Sequence, residues 1–326
     1  MKKIVCMGGG NAMPKVVLQE LKKYPVDITT ITSMVDSGGS AGALRKEFNV
    51  LPAGDIRRHI LALSEAEDWK KKLFNFRFAN DIRFDDDHVG HNFANVFIAG
   101  LEKTLGDFEK ALEIVHQFMY VKGRCLPATL DNVNLYAKLE NGTTLTSEDD
   151  IDVPRKRDGK LRVINVWLHP EAKAYSKAID AIREADVVTF GPGDLYTSTI
   201  PCVLPKGMKE AISKSKAKKV LICNAMTKLG ETYGYSVEDF TKEIENYIGT
   251  KLDFVIYNSS VPKKDRVEEY KKQEKLLADL LLPKGRSLDK KFVGKDLLVE
   301  SGPIEYDSRK VVNTILEISG LNLKQG

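Results

Sequence analysis

"KIVCMGGGNAMPKVVLQELKKYPVDITTITSMVDSGGSAG", residues 3–42, decides the fold class. A short apolar run turns through Gly8, Gly9, Gly10 and Asn11, and Val17, Leu18 and Leu21 then follow at helical spacing. Pro14 falls in the first turn of that helix, where its missing N–H would have no partner in any case. A second run, "DITTITSMV", is rich in β-branched residues and ends before Gly38 and Gly39. Strand, turn, helix and strand in that order predict a right-handed βαβ unit on a parallel sheet.

The alternation extends along the chain. "IRRHILALSEA" reads as helix, and residues 91–119 read as two helices broken at Gly106. Residues 121–168 read as a β-rich insertion or sheet extension with a hairpin turn at Asn141 and Gly142. The charged stretch within it, "EDDIDVPRKRDGK" (148–160), reads as a solvated loop. Helices are expected over 171–185, 203–215, 236–248 and 263–282, and after Asp307. Strands are expected at "DVVTF", "KKVLIC", "LDFVIYN" and "DLLVE" (296–300). The expected architecture is one α/β domain over 1–326, a Rossmann-like, doubly wound, mostly parallel sheet with extra helices and the insertion at 121–168.

Composition narrows the function classes. The chain has 326 residues and a net charge of +4, too small a surplus for its length to suggest a nucleic-acid partner. Apolar runs such as "LLADLLLP" are too short to span a membrane, and no secretory apolar region follows Lys2 and Lys3. Cys6, Cys125, Cys202 and Cys223 are scattered, which predicts reduced thiols and a cytoplasmic protein.

The polar residues gather after the predicted strands, in "GGGN", "VDSGGSAGALR", "GPGDLYTS", "NAMTKLGET" and "NSSVP". In an open parallel sheet these positions share the rim where ligands bind. Gly8–Gly10, the nest of Gly38, Gly39 and Ser40, and the loop of Gly191 and Gly193 let backbone N–H groups approach an anion. Each is also compatible with a plain tight turn. Asp36 is placed to take sugar hydroxyls or Mg²⁺, or to cap its own turn. Arg45, Arg57 and Arg58 lie near it in sequence and can clamp phosphates or form surface ion pairs. Asp55 is placed as an N-cap or as a ligand contact. His88 and His91 lack the i, i+4 spacing of a helical metal pair. His91 and Asn92 instead read as a helix start, with Asn95 on the same face and available to a ligand. No Ser-His-Asp triad, GxSxG elbow or P-loop is present.

With these loops on the page, the chain resembles the CofD-like superfamily, and its YvcK branch most closely. The motifs are "GGSAGALRKEFNVLPAGDIR", "GPGDLYTSTIP" and "NAMTKLGETYGYS", in family order and across nearly the whole chain. The resemblance implies a Rossmann-like fold, a homodimer and a nucleotide-type ligand. In the YvcK, or gluconeogenesis-factor, group that ligand is a UDP-sugar, and the role is regulatory, in carbon metabolism, cell-wall synthesis and cell shape. In 2-phospho-L-lactate transferases it is a nucleotide diphosphate-activated donor used with Mg²⁺. Under the first reading Gly8–Asn11 and the loop of Gly191 and Gly193, with Asp194, Tyr196, Thr197 and Ser198 as further ligand contacts, cradle phosphates, and Asn224, Thr227 and Thr232 hold base, ribose or sugar. Lys228 faces the gap, and Glu231 joins the ligand contacts or caps the next helix. Under the second, backbone donors, Arg45 and Mg²⁺ on Asp36 stabilise the diphosphate leaving group.

The sequence departs from the family pattern at several places. Ala12 replaces a glycine, Ser37 an aspartate, Asp194 a serine and Lys228 a glutamine, and Glu305 stands where an arginine is usual. Lys228 compensates Asp194 if the two side chains meet. A site that has lost its ligand through these changes is the third reading.

Overall fold

In the computed structural model, residues 1–78, 90–155, 157–274, 278–285 and 289–321 are described. Among the described residues ten strands form two sheets. β1 (Lys2–Met7), β2 (Val26–Thr32), β3 (Arg124–Pro127), β7 (Val187–Phe190), β8 (Lys218–Ile222), β9 (Phe254–Asn258) and β10 (Phe292–Lys295) make a seven-stranded sheet in the order β10-β9-β8-β7-β1-β2-β3. Every pairing in it is parallel. β4 (Asn134–Leu139), β5 (Thr144–Leu145) and β6 (Val163–His169) form a small antiparallel sheet beside it.

The parallel strands are buried on both faces, as near-continuous apolar runs require. Along β1, Ile4 and Cys6 join one core with Leu18, Ile60, Ile98 and Ile315, while Val5 and Met7 join the opposite core with Ile182, Ile212 and Phe240. This is the doubly wound α/β fold expected from the sequence. The break at Gly106 is also as expected: Gly106 adopts φ 65° after the helix Phe93–Leu105, and Asp107 caps the helix Phe108–Phe118. Asn141 and Gly142 turn the chain between β4 and β5, with Gly142 at φ 88°.

Some boundaries differ from expectation. β3 belongs to the main sheet, so the separate antiparallel sheet begins only at Asn134. "DLLVE" is not a strand: "FVGK" (292–295) pairs with β9 instead, while Leu297 and Leu298 bury their side chains and make only an isolated bridge to Tyr306. The expected helices at 171–185 and 203–215 shorten to Ser176–Glu184 and Met208–Lys214, and of 263–282 residues Lys264–Glu274 are helical while 278–282 are not. The region 148–160 is not simply a solvated loop. It contains the helix Glu148–Asp152, capped by Ser147 and fixed by the buried Ile151.

Asp107 accepts from the backbone N–H groups of Glu109 (2.9 Å) and Lys110 (3.2 Å). Asp107→Ala should therefore cost about 1 kcal/mol in urea unfolding, with an unchanged m-value.

Candidate functional site

The strand order reverses at β1, which pairs with β2 on one side and β7 on the other. Crevices open at the carboxyl ends of strands where order reverses. A cleft of about 970 Å³ lies there. The loops after β1 and β7 both run into wide i→i+5 turns, Pro14–Leu18 and Leu195–Thr199, a geometry frequent at functional sites.

Gly9 and Gly10 are fixed by close approach. A Cβ on Gly9 would lie 2.4 Å from Ser198 Oγ, and one on Gly10 would lie 2.6 Å from Asp55 Oδ1. Beneath them His59, fully buried, sits with Nε2 2.9 Å from the Gly9 carbonyl. Burial lowers its pKa to about 4. The ring is therefore neutral at pH 7, and Nε2–H donates, because a carbonyl can only accept. His59 was not singled out from the sequence, where it lies unmarked in a helical run.

One end of the cleft is acidic. Asp36 Oδ1 accepts from the Gly38 N–H (3.0 Å), so Asp36 both caps its turn and lines the cleft. Asp55 is not an N-cap: that position is Ala53, and the Asp55 carboxylate accepts from Ser33 Oγ (3.4 Å) and Arg58 (3.3 Å). Glu148 and Asp152 reach the same cleft from the insertion. Burial raises Asp36, and the neighbouring Asp55 adds to it; burial likewise raises Asp55. Burial pushes Glu148 furthest, to about 9, with Asp36, Asp152 and Asp55 adding to it. Asp55 raises Asp36, and Asp36, Asp152 and Asp55 raise Glu148, while Arg58 is a nearby counter-charge to Asp36 and Asp55. Among the described residues the three carboxylates whose oxygens converge closely enough for a metal ion are instead Asp152, Asp194 and Glu231. Glu148 and Asp152 escaped the sequence reading, although Ser147 followed three places on by Asp150 is a capping signal.

The wall after β8 carries its own charge cluster. Lys228 Nζ lies 2.8 Å from Asp194 Oδ2 and 3.4 Å from Glu231 Oε1, and also contacts Asp152. The expected meeting of Lys228 with Asp194 is thus present. Burial pulls the Lys228 pKa down, but Glu231, Asp194 and Asp152 more than offset it, so the ammonium stays charged. Glu231 does not cap the following helix; Ser236 does, in a capping box with Asp239. Glu231 instead accepts from the N–H groups of Tyr196 (2.7 Å) and Thr197 (3.3 Å) and from Thr197 Oγ (2.8 Å). Asn224 Oδ1 accepts from the Gly193 N–H (3.0 Å). The N–H groups of Gly193, Tyr196 and Thr197 are therefore spent within the protein.

Gly9, Asn11, Asp36, Gly38, Asp55, Gly193, Asp194, Thr197, Ser198, Asn224, Thr227 and Lys228 line the cleft. The other predicted residues support it or lie elsewhere. The Gly8 and Gly191 N–H groups bond to Ile31 and Met7 carbonyls, and Tyr196 is buried with its hydroxyl 2.8 Å from that of Tyr235. Gly39 starts a helix at φ 48°, and Thr232 Oγ1 accepts from the Lys228 N–H (2.9 Å). Ser40 Oγ lies 3.1 Å from His91 Nδ1 and accepts from the Asn92 N–H and from Asn95 Nδ2, a knot that leaves all four side chains buried. Arg45 bonds Asn132 and Val133, and Arg57 bonds Asn75. None of these six is among the residues lining the cleft, and Asn95 Oδ1, Arg45 Nη1 and Arg57 Nε are buried without a hydrogen-bond partner. The fifth polar loop turns inward too, where Asn258 bonds Ser260 and Leu297. His88 lies outside the described residues.

Met226, Tyr270, Ala278, Ile304 and Tyr306 cluster into an apolar part of the cleft lining. Tyr306 donates to the Cys223 carbonyl at 2.6 Å, holding the C-terminal segment against the end of β8.

Comparison with known proteins identifies the family. Residues 4–298 match the family model described as 2-phospho-L-lactate transferase CofD. The chain belongs to the CofD family. Within it, the chain is 38% identical over 325 residues to a Thermotoga maritima protein named "Putative gluconeogenesis factor", covering 97% of this chain and 99% of that one. It is 33% identical to the "Gluconeogenesis factor" of Bacillus subtilis, covering 97% and 98%. The crystal structure of a UPF0052 family member from Bacillus halodurans superposes with a TM-score of 0.87 at 33% identity, covering 97% of this chain and all of that one. Among the described residues no helix is long and apolar enough to cross a membrane.

Two outcomes test the CofD-family cleft as described. Gly9→Ala should lower stability and ligand affinity together, and Gly9→Ala with Ser198→Gly should recover part of both, read by thermal melting and calorimetry. For Glu148 the folded pKa of about 9 lies above the ordinary carboxyl value, so the folded state holds the extra proton and loses stability as pH rises from about 4.5 to 9. Melts in EDTA across this window should fall more steeply for the wild type than for Glu148→Gln; equal slopes contradict the assignment.

Proposed function

We propose that the cleft binds a nucleotide diphosphate-sugar, of the UDP-sugar type, together with Mg²⁺, and that the protein is a regulatory binding protein of the gluconeogenesis-factor kind, acting in the cytoplasm on carbon metabolism, cell-wall synthesis and cell shape. The observation that carries this is the cleft at the sheet's reversal point, whose lining joins the carboxylates Asp36, Asp55 and Glu148 with an apolar wall of Met226, Tyr270 and Tyr306. Its volume of about 970 Å³ suits a ligand of that size. Glu305, in place of the family's arginine, adds one more acid to the lining. A bare diphosphate is repelled by such a lining, whereas Mg²⁺ bound by one or two carboxylates and the phosphates reverses the sign. Asp36, Asp55 and Glu148 take the metal in this reading, the loop at Gly9 and Asn11 takes the diphosphate, and the apolar wall takes the base.

The family model's own description favours a second reading, transfer of a phospholactyl-type group from a nucleotide-activated donor. Product formation from that donor and a deazaflavin in the presence of Mg²⁺ would replace the binding role with catalysis.

Calorimetric titration with UDP-N-acetylglucosamine should show binding that strengthens with Mg²⁺. Asp36→Asn should remove the metal dependence and weaken binding by at least roughly tenfold. No heat up to millimolar ligand, with or without Mg²⁺, overturns the reading.

A further inference from the structure

Three carboxylates, Asp152, Asp194 and Glu231, place one oxygen each within 4.8 Å of one another. They come from three separate segments: the insertion, the loop after β7 and the loop after β8. Hard oxygen donors so arranged suit Mg²⁺, Mn²⁺ or Ca²⁺. The position among them is already taken by the Lys228 ammonium, within contact of all three.

We propose that Lys228 is a tethered cation seated in a divalent-metal site, and that it determines how many metal ions this cleft accepts. The ammonium donates to Asp152 and Asp194 and forms an ion pair with Glu231. Its charge is committed to these three acids, and its part is to fill the site. The cluster is held rigid around it. Glu231 Oε2 is fixed by the Tyr196 N–H at 2.7 Å, and Oε1 by Thr197 Oγ at 2.8 Å, so that carboxylate cannot swing away when the cation changes. A covalently attached cation is neither lost to chelators nor exchanged with the medium. The wild-type protein then takes no exchangeable divalent ion at Asp152, Asp194 and Glu231, and metal uptake is confined to the side of Asp36, Asp55 and Glu148. A neutral side chain at 228 would open a second metal position.

The test is a Mn²⁺ titration of the full chain, followed by electron paramagnetic resonance, for wild type, Asp194→Ser, Lys228→Gln and the double variant Asp194→Ser with Lys228→Gln. Lys228→Gln should bind one Mn²⁺ more than the wild type. Its melting temperature should fall in EDTA and recover with Mn²⁺ by more than the wild type gains. The double variant, one carboxylate short, should lose the added ion. If Lys228→Gln does not fold in EDTA, refolding on addition of Mn²⁺ supports the proposal, and failure to refold in millimolar Mn²⁺ overturns it. Equal Mn²⁺ stoichiometry in wild type and Lys228→Gln overturns it, as does a wild-type ion that Asp194→Ser alone removes. The titration contains no nucleotide, so it stands or falls separately from the nucleotide-sugar reading.

Discussion

β1 hydrogen-bonds to β2 through Lys2–Met7 and to β7 through Ile4–Met7, and that double pairing is the constraint on which the rest of the structure depends. Because every neighbour in the sheet is parallel, all the loops after strands emerge on one edge. Because chain order reverses at β1, the loops after β1 and β7 leave in opposite directions and part. The space between them is the cleft. Gly9 can pass Ser198 only without a side chain, so the two loops still touch at their base while they separate above.

Electrostatics shapes what that space can hold. Burying a carboxylate is costly unless it is hydrogen-bonded or paired, and the cleft offers two solutions. Around Lys228 the acids are satisfied by a fixed cation and by the backbone donors at Tyr196 and Thr197. Around Asp36 and Glu148 burial and the neighbouring acids favour the protonated carboxyl, as their raised pKa values record. One side is a finished structural joint and the other a titratable receptor. The backbone donors that the sequence offers to phosphate near Asp194 are thus committed to the protein, while the loop at Gly9 and Asn11 remains on the cleft surface.

Much of the fold was legible because the signals are local. The run from Lys3 to Gly42 shows its strand, turn and helix in the spacing of apolar residues, and Gly106 followed by Asp107 marks a helix end and a new start. "DLLVE" misled because Leu297 and Leu298 are buried without joining a ladder, and burial is all that an apolar run reports. The site was legible at the strand ends but not across them. Ser40 and His91 are 51 residues apart in sequence, yet bond to each other, so two residues free on paper are occupied in the fold. The acidic stretch at Glu148 failed for the converse reason. Its charges look solvated until the insertion folds them over the cleft. Asp194 and Lys228 were legible as a pair because both depart from the family pattern in a charge-compensating way.

Tyr306 binds the Cys223 carbonyl, and the cleft lining runs from Gly9 to Ser308. Its walls are therefore drawn from segments far apart in sequence, and the cleft exists only where those long-range contacts are made. The sheet must assemble on its own apolar faces, and the cleft is a product of that assembly and not its guide.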